Sequence, residues 1–170
     1  MKKSNAKNSY IPLLIVVVII AASISINKGQ DGFRVASLIF APIFLLSIIV
    51  RNNQSFEFYF TSKYNIFTAK TRYEQEFDFS RDILFEKLIE VMTEARFKIR
   101  RTDKVTGHIF ATAPISWYSW GENIYINLKE ENGKTTLDFC SACLFQIYSW
   151  GKNERNYDHF LGEFEKSLTI

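Results

Sequence analysis

Two cysteines with the C-x-x-C spacing, Cys140 and Cys143, are the residues whose type and spacing most directly suggest chemistry. A redox-active pair usually opens a helix, because the helix N-terminus lowers the pKa of the thiol. The surrounding sequence instead predicts a β-strand, in which positions i and i+3 point to opposite faces of the sheet. A zinc site needs about four ligands, and the only histidines are His108 and His159. We therefore expect two separate strand cysteines, with no metal site and no cofactor.

An aromatic motif is a second candidate site, because Tyr-Ser-Trp-Gly begins at Tyr118 and again at Tyr148. The two copies are predicted to lie near the same end of the sheet, since one enters a long strand and the other leaves it. Their tryptophans either cover that end of the sheet or line the mouth of a binding site for a lipid or peptide. The candidate binding surface consists of Trp117, Tyr118, Trp120, Tyr148 and Trp150.

A cluster of basic residues occupies the segment from Arg96 to Lys104, in which five of nine residues are lysine or arginine. Such a cluster can be a solvated strand edge that is protected by its charge. It can also be a surface that contacts anionic lipid headgroups. The candidate headgroup contacts are Lys98, Arg100 and Arg101.

Two apolar runs without a charged residue, Ile11–Ile26 and Val35–Val50, precede these candidate sites. A helix that is apolar on all sides belongs in a protein core or in lipid. With their flanking residues, both runs approach the lower limit of about 17 residues for a membrane-spanning helix. We therefore predict a transmembrane helical hairpin over residues 11–50, which follows a basic tail at residues 1–10.

The charge distribution predicts the orientation of this hairpin. Residues 1–76 contain nine lysines and arginines against four acids, whereas residues 77–170 contain twelve against fourteen. A nucleic-acid-binding protein would carry its basic excess on the folded domain, so we expect no nucleic-acid partner. Basic residues on the outer flanks of the two runs outnumber those in the turn, which places both termini in the cytoplasm. The predicted location is the bacterial inner membrane.

Periodic patterns after the second run predict a soluble α+β domain over residues 77–170. Phe56, Phe58 and Phe60 alternate with polar residues, so residues 51–76 are either a juxtamembrane linker or a first β-hairpin. Apolar residues at helical spacing predict one amphipathic helix capped by Ser80 and another that begins near Asn153. Three to four antiparallel strands between these helices complete a sheet that carries both helices on one face.

The pair Asn132-Gly133 is the clearest local signal, because it is preferred in two-residue type I′ hairpin turns. A turn at this position pairs Leu128 with Leu137 across the two strands. Apolar side chains then meet on one face of the hairpin, as cross-strand pairing requires.

The order of helix, antiparallel strands and closing helix over residues 77–170 resembles the helix-grip, TBP-like domains of bacterial envelope proteins. The phrase Trp-Gly-Lys-Asn, from Trp150 to Asn153 before the last helix, adds to the resemblance. Small membrane-anchored bacterial proteins share this plan. The resemblance implies an α+β fold, but it assigns no function to any residue. The predicted hairpin anchor differs from the lipid anchor of the envelope lipoprotein that has a domain of this kind.

The sequence contains no G-x-S-x-G, H-E-x-x-H, Walker or dinucleotide-binding motif. We therefore expect that the protein is not an enzyme. The preferred function is a membrane-tethered binding or assembly module whose folded domain contacts a protein partner near the bilayer. One alternative is a lipid- or small-ligand-binding domain of the helix-grip type, and a second is a thiol redox protein.

Overall fold

The structure is a computed structural model that describes residues 31–32, 34–35, 37–38, 41–42, 45–46, 49–51, 53–66, 68–116, 119 and 121–168. The strands are β1 (Lys70–Phe77), β2 (Lys98–Asp103), β3 (His108–Thr112), β4 (Glu122–Glu131) and β5 (Lys134–Cys143). A 3-10 helix (Gln54–Phe56) is followed by the α-helices α1 (Glu57–Thr61), α2 (Arg81–Glu94) and α3 (Lys152–Leu168). The strands form one antiparallel sheet in the order β1-β5-β4-β3-β2.

The β4–β5 hairpin has the predicted register, since Leu128 lies opposite Leu137. Asn132 and Gly133 have φ angles of 54° and 77°. Positive φ at both central residues is what a type I′ turn requires. The turn prediction is therefore confirmed.

Helices α2 and α3 cover one face of the sheet, here called the inner face. Helix α2 begins directly after Ser80 and buries Leu84 and Leu88 against the sheet. Helix α3 contributes Phe160 and Phe164 to the same core. The predicted α+β domain with both helices on one face is confirmed, and its order of one strand, a helix, four strands and a long closing helix is helix-grip-like.

The opposite face of the sheet, the outer face, has a smaller core that includes Phe110 and Tyr125. The chain before β1 covers it with Val50 and Phe60, both fully or almost fully buried. Residues 54–61 are helical, so the β-hairpin indicated by the alternating phenylalanines is not formed there. The alternation was misleading because Phe60 is buried while Phe58 is 86% exposed.

No helix in the part of the chain that the structure describes is long and apolar enough to cross a membrane. The predicted transmembrane hairpin is therefore wrong, and so are the inner-membrane location with cytoplasmic termini and the membrane as a partner. Val50, at the end of the second apolar run, packs into the outer-face core. Protein is the other possible environment of an apolar helix, and it covers Val50, whereas the neighbouring Ile49 is 61% exposed. The first run, Ile11–Ile26, lies outside the described residues.

Candidate functional site

A groove on the outside of the helical layer is the candidate site. This helical groove has a volume of about 670 Å³ and lies between α2, the end of α3 and the segment before α2. Its floor is formed by Leu84 and Phe164, which are 1% and 2% exposed. Its walls carry Phe79, Ile83 and Leu168, with exposures of 40%, 62% and 51%. The groove therefore offers apolar surface to a ligand.

Charged side chains form the rim of the helical groove, and four of them are paired. Lys104 Nζ lies 2.8 Å from Glu86 Oε1, and Lys87 Nζ lies 3.0 Å from Glu90 Oε2. The hydrogen bond to Glu86 raises the pKa of Lys104 above its ordinary value. Asp82 adds a further carboxylate to the rim. A ligand in the groove would therefore contact an apolar floor between ion pairs.

Only part of the predicted aromatic surface lies in the described residues. Tyr148 and Trp150 lie in the loop between β5 and α3, where they are 65% and 62% exposed. Their rings meet edge to face, with the centroids 5.0 Å apart. Trp117, Tyr118 and Trp120 lie outside the described residues. Neither Tyr148 nor Trp150 lines the helical groove.

The predicted basic contacts lie on β2, at the edge of the sheet. Lys98 is exposed, whereas Arg100 is half-buried and donates a hydrogen bond from Nε to Thr112 Oγ1 at 3.2 Å. Arg100 and Arg101 both line a second cavity, on the outer face, and Lys98 does not. The contact of these three residues with lipid headgroups stays a prediction.

The structure confirms that the two cysteines are separate strand residues. Both are free and buried on β5. Cys140 belongs to the outer-face core, whereas Cys143 contacts the inner-face residue Asn153, with Sγ 3.7 Å from Oδ1. Burial raises the pKa of Cys140 to about 11 and that of Cys143 to about 12. A reactive thiol has a lowered pKa instead, so the geometry does not favour the redox alternative.

A buried polar network between the sheet and the start of α3 was missed by the sequence reasoning. Asn153 Oδ1 accepts a hydrogen bond from Ser141 Oγ at 2.9 Å, and Asn153 Nδ2 donates one to the carbonyl of Ala69 at 3.1 Å. Asn156 Nδ2 lies 3.1 Å from both Glu122 Oε2 and Ser141 Oγ. Asn153 and Asn156 continue the buried stripe of α3 toward its N-terminus, and that spacing is the signal that could have revealed them.

The comparisons with known proteins identify no family. No protein-family model matches the chain, and no curated protein matches it. One solved structure that is similar is the crystal structure of Ara h 8.0201. It shares 9% sequence identity, with a TM-score of 0.47, over 61% of this chain and 99% of that chain.

Proposed function

We propose that this domain binds a small, mainly apolar molecule in the helical groove. The observation that carries the proposal is the exposed apolar wall at Ile83 above the buried floor of Leu84 and Phe164. Ligand pockets typically have volumes of about 300–1,000 Å³ and mostly apolar linings, and the volume of about 670 Å³ falls within that range.

The proposal assigns binding and no chemical step to the groove. Two of the rim carboxylates, those of Glu86 and Glu90, are each paired with a lysine. These pairs leave the exposed apolar walls as the main source of affinity. Full burial of an isoleucine side chain contributes about 1.5–3 kcal/mol. Since Ile83 is 62% exposed, covering it supplies about 1–2 kcal/mol. That a catalytic role is lacking remains a prediction.

Titration of the full chain with N-phenyl-1-naphthylamine, a neutral apolar fluorophore, tests this function. We expect saturable binding, which Ile83→Asn weakens about 5- to 30-fold because the substitution removes that contribution. Ile147→Asn is the matched control, since Ile147 is 71% exposed and lies outside the groove. Equal weakening by both substitutions, or no weakening by Ile83→Asn, would contradict the proposal.

A second candidate function is protein binding through the loop between β5 and α3. This loop exposes four large apolar side chains, those of Phe145, Ile147, Tyr148 and Trp150. Aromatic residues of this kind are enriched among the residues that dominate protein interfaces. A photo-crosslinking residue at position 148 should capture one defined partner in cells, and Trp150→Ala should abolish that product. An unchanged product would remove this candidate.

A further inference from the structure

A cavity on the outer face of the sheet, here called the arginine groove, lies between the 53–61 segment and strands β2 and β3. It has a volume of about 670 Å³. Two phenylalanines line it: Phe110 on β3, which is 1% exposed, and Phe58 on α1, which is 86% exposed. Arg100 and Arg101 also line this cavity. It lies on the sheet face opposite the helical layer, so it is separate from the helical groove.

A β-bulge in β2 directs two consecutive arginines into this cavity. Ile99 pairs with Ala111 and Arg101 pairs with Phe110, so the register shifts by one residue between Ile99 and Arg101. In a regular strand, neighbouring side chains point to opposite faces. The extra residue, Arg100, breaks that alternation, and both arginines line one cavity. Bulges are common beside functional sites, where they re-aim a side chain.

The one carboxylate that lines the arginine groove is already engaged by another residue in the described part of the chain. Glu57 Oε2 lies 2.9 Å from His108 Nε2. No ion pair joins Arg100 or Arg101 to a carboxylate among the described residues. Arg100 uses Nε to contact Thr112, which leaves its two terminal nitrogens for a ligand. The pKa of Asp103 is lowered by its hydrogen bonds with Thr106 and, to a lesser degree, by the charge of Arg101, but no ion pair joins these two side chains. The cavity thus contains two arginines that form no ion pair with a carboxylate among the described residues.

We infer that the arginine groove is a binding site for a small phosphate-bearing molecule with a flat ring. The planar fork of a guanidinium matches two oxygens of a phosphate, which makes arginine the preferred partner for such groups. The ring would lie against Phe58, which is 86% exposed, because stacked or edge-on aromatic pairs are favourable. This site is independent of the apolar site proposed on the other side of the sheet.

Calorimetric titration of the full chain with phenyl phosphate, inorganic phosphate and benzyl alcohol tests this inference. Phenyl phosphate should bind at least tenfold more tightly than inorganic phosphate, which lacks the ring, and than benzyl alcohol, which lacks the anion. Binding should weaken as salt is raised, since the arginines lie near the surface. Equal affinity for phenyl phosphate and benzyl alcohol would overturn the inference.

Variants assign the binding to named residues. Arg101→Met should weaken phenyl phosphate binding at least tenfold, and Arg100→Lys several-fold, because lysine keeps the charge and loses the fork. Lys98→Met is the matched control, since Lys98 is an exposed cation on the same strand that does not line the cavity. Equal weakening by Lys98→Met and Arg101→Met would show charge attraction without a site.

Two further measurements separate this site from loss of folding and from the helical groove. Phe58→Leu should weaken phenyl phosphate binding and leave inorganic phosphate binding unchanged, because only the ring contacts Phe58. Arg101→Met should leave both the urea midpoint and the affinity for N-phenyl-1-naphthylamine unchanged. If Arg101→Met weakens both ligands equally, the two sites are not independent and the inference fails.

Discussion

Replacing Asn153 with alanine should strongly destabilise the fold through the buried polar network. Asn153 is fully buried, and its amide bonds Ser141 Oγ at 2.9 Å and the carbonyl of Ala69 at 3.1 Å. The alanine variant leaves the buried Ser141 hydroxyl without its acceptor, whereas the carbonyl of Ala69 keeps the hydrogen bond that the backbone N–H of Cys143 donates at 2.8 Å. One unsatisfied buried donor costs about 1–3 kcal/mol, so the free energy of unfolding should fall by about 1–3 kcal/mol.

Urea denaturation followed by circular dichroism measures this change. A loss of about 3 kcal/mol lowers the midpoint by about 1–3 M, since the slope for small proteins is about 1–3 kcal/mol/M. Asp158→Ala is the control, because Asp158 is an exposed residue on the same helix. Its effect should stay within about 0.5 kcal/mol.

A double-mutant cycle with Ser141→Ala separates the network from simple loss of packing. Removing Ser141 Oγ also removes the donor that Asn153→Ala leaves without a partner. The double variant should therefore lose less than the sum of the two single losses, with a coupling of about 0.5–3 kcal/mol. Strictly additive losses, or a loss below about 1 kcal/mol for Asn153→Ala, would refute the reasoning.

The remaining predictions concern the thiols and two glycines. Cys140 and Cys143 should react with iodoacetamide at pH 8 far more slowly in the folded chain than in urea, because burial raises both pKa values. Mass spectrometry counts the modified thiols, and equal rates in the two states would contradict the burial of the cysteines. The unfolded chain releases these protons near pH 9 and the folded chain retains them, so stability should fall as the pH rises from about 9 toward 11, as urea midpoints would show. Gly121→Ala should destabilise the fold more than Gly133→Ala, because a Cβ at Gly121 would lie 2.7 Å from Arg51 Cζ. A Cβ at Gly133 would have no such neighbouring atom within 4 Å. Gly133→Ala then costs about 1 kcal/mol for its positive φ alone, and thermal melts that rank the two variants in reverse would refute the clash.

Local signals in the sequence were sufficient for the β4–β5 hairpin and for α2. The Asn132-Gly133 turn decides which residues face each other, and one shift of register would turn every side chain to the wrong face. The same register separates Cys140 from Cys143, so the outcome for the C-x-x-C pair was also predictable. In each case the information lies within about twenty residues of chain.

The two grooves could not be predicted, because each is formed by segments far apart in the sequence. The helical groove is lined by Ile83 on α2 and by Leu168 at the end of α3. The arginine groove is lined by residues of the 53–61 segment and by Arg100 and Arg101. The sequence marked both arginines as candidates, but only the bulge between Ile99 and Arg101 brings them into one cavity.

The sequence by itself determined the elements whose signals are local: the amphipathic helices, the hairpin register and the separation of the two thiols. Tertiary structure alone decided what covers each apolar surface. Val50 ends an apolar run that is compatible with lipid or protein, and its contact with the outer-face core appears only when the chain folds. Asn153 is polar, yet it is buried because Ser141 and Ala69 satisfy its amide. Periodicity reports which residues share a face, whereas the partner of that face depends on contacts between distant segments.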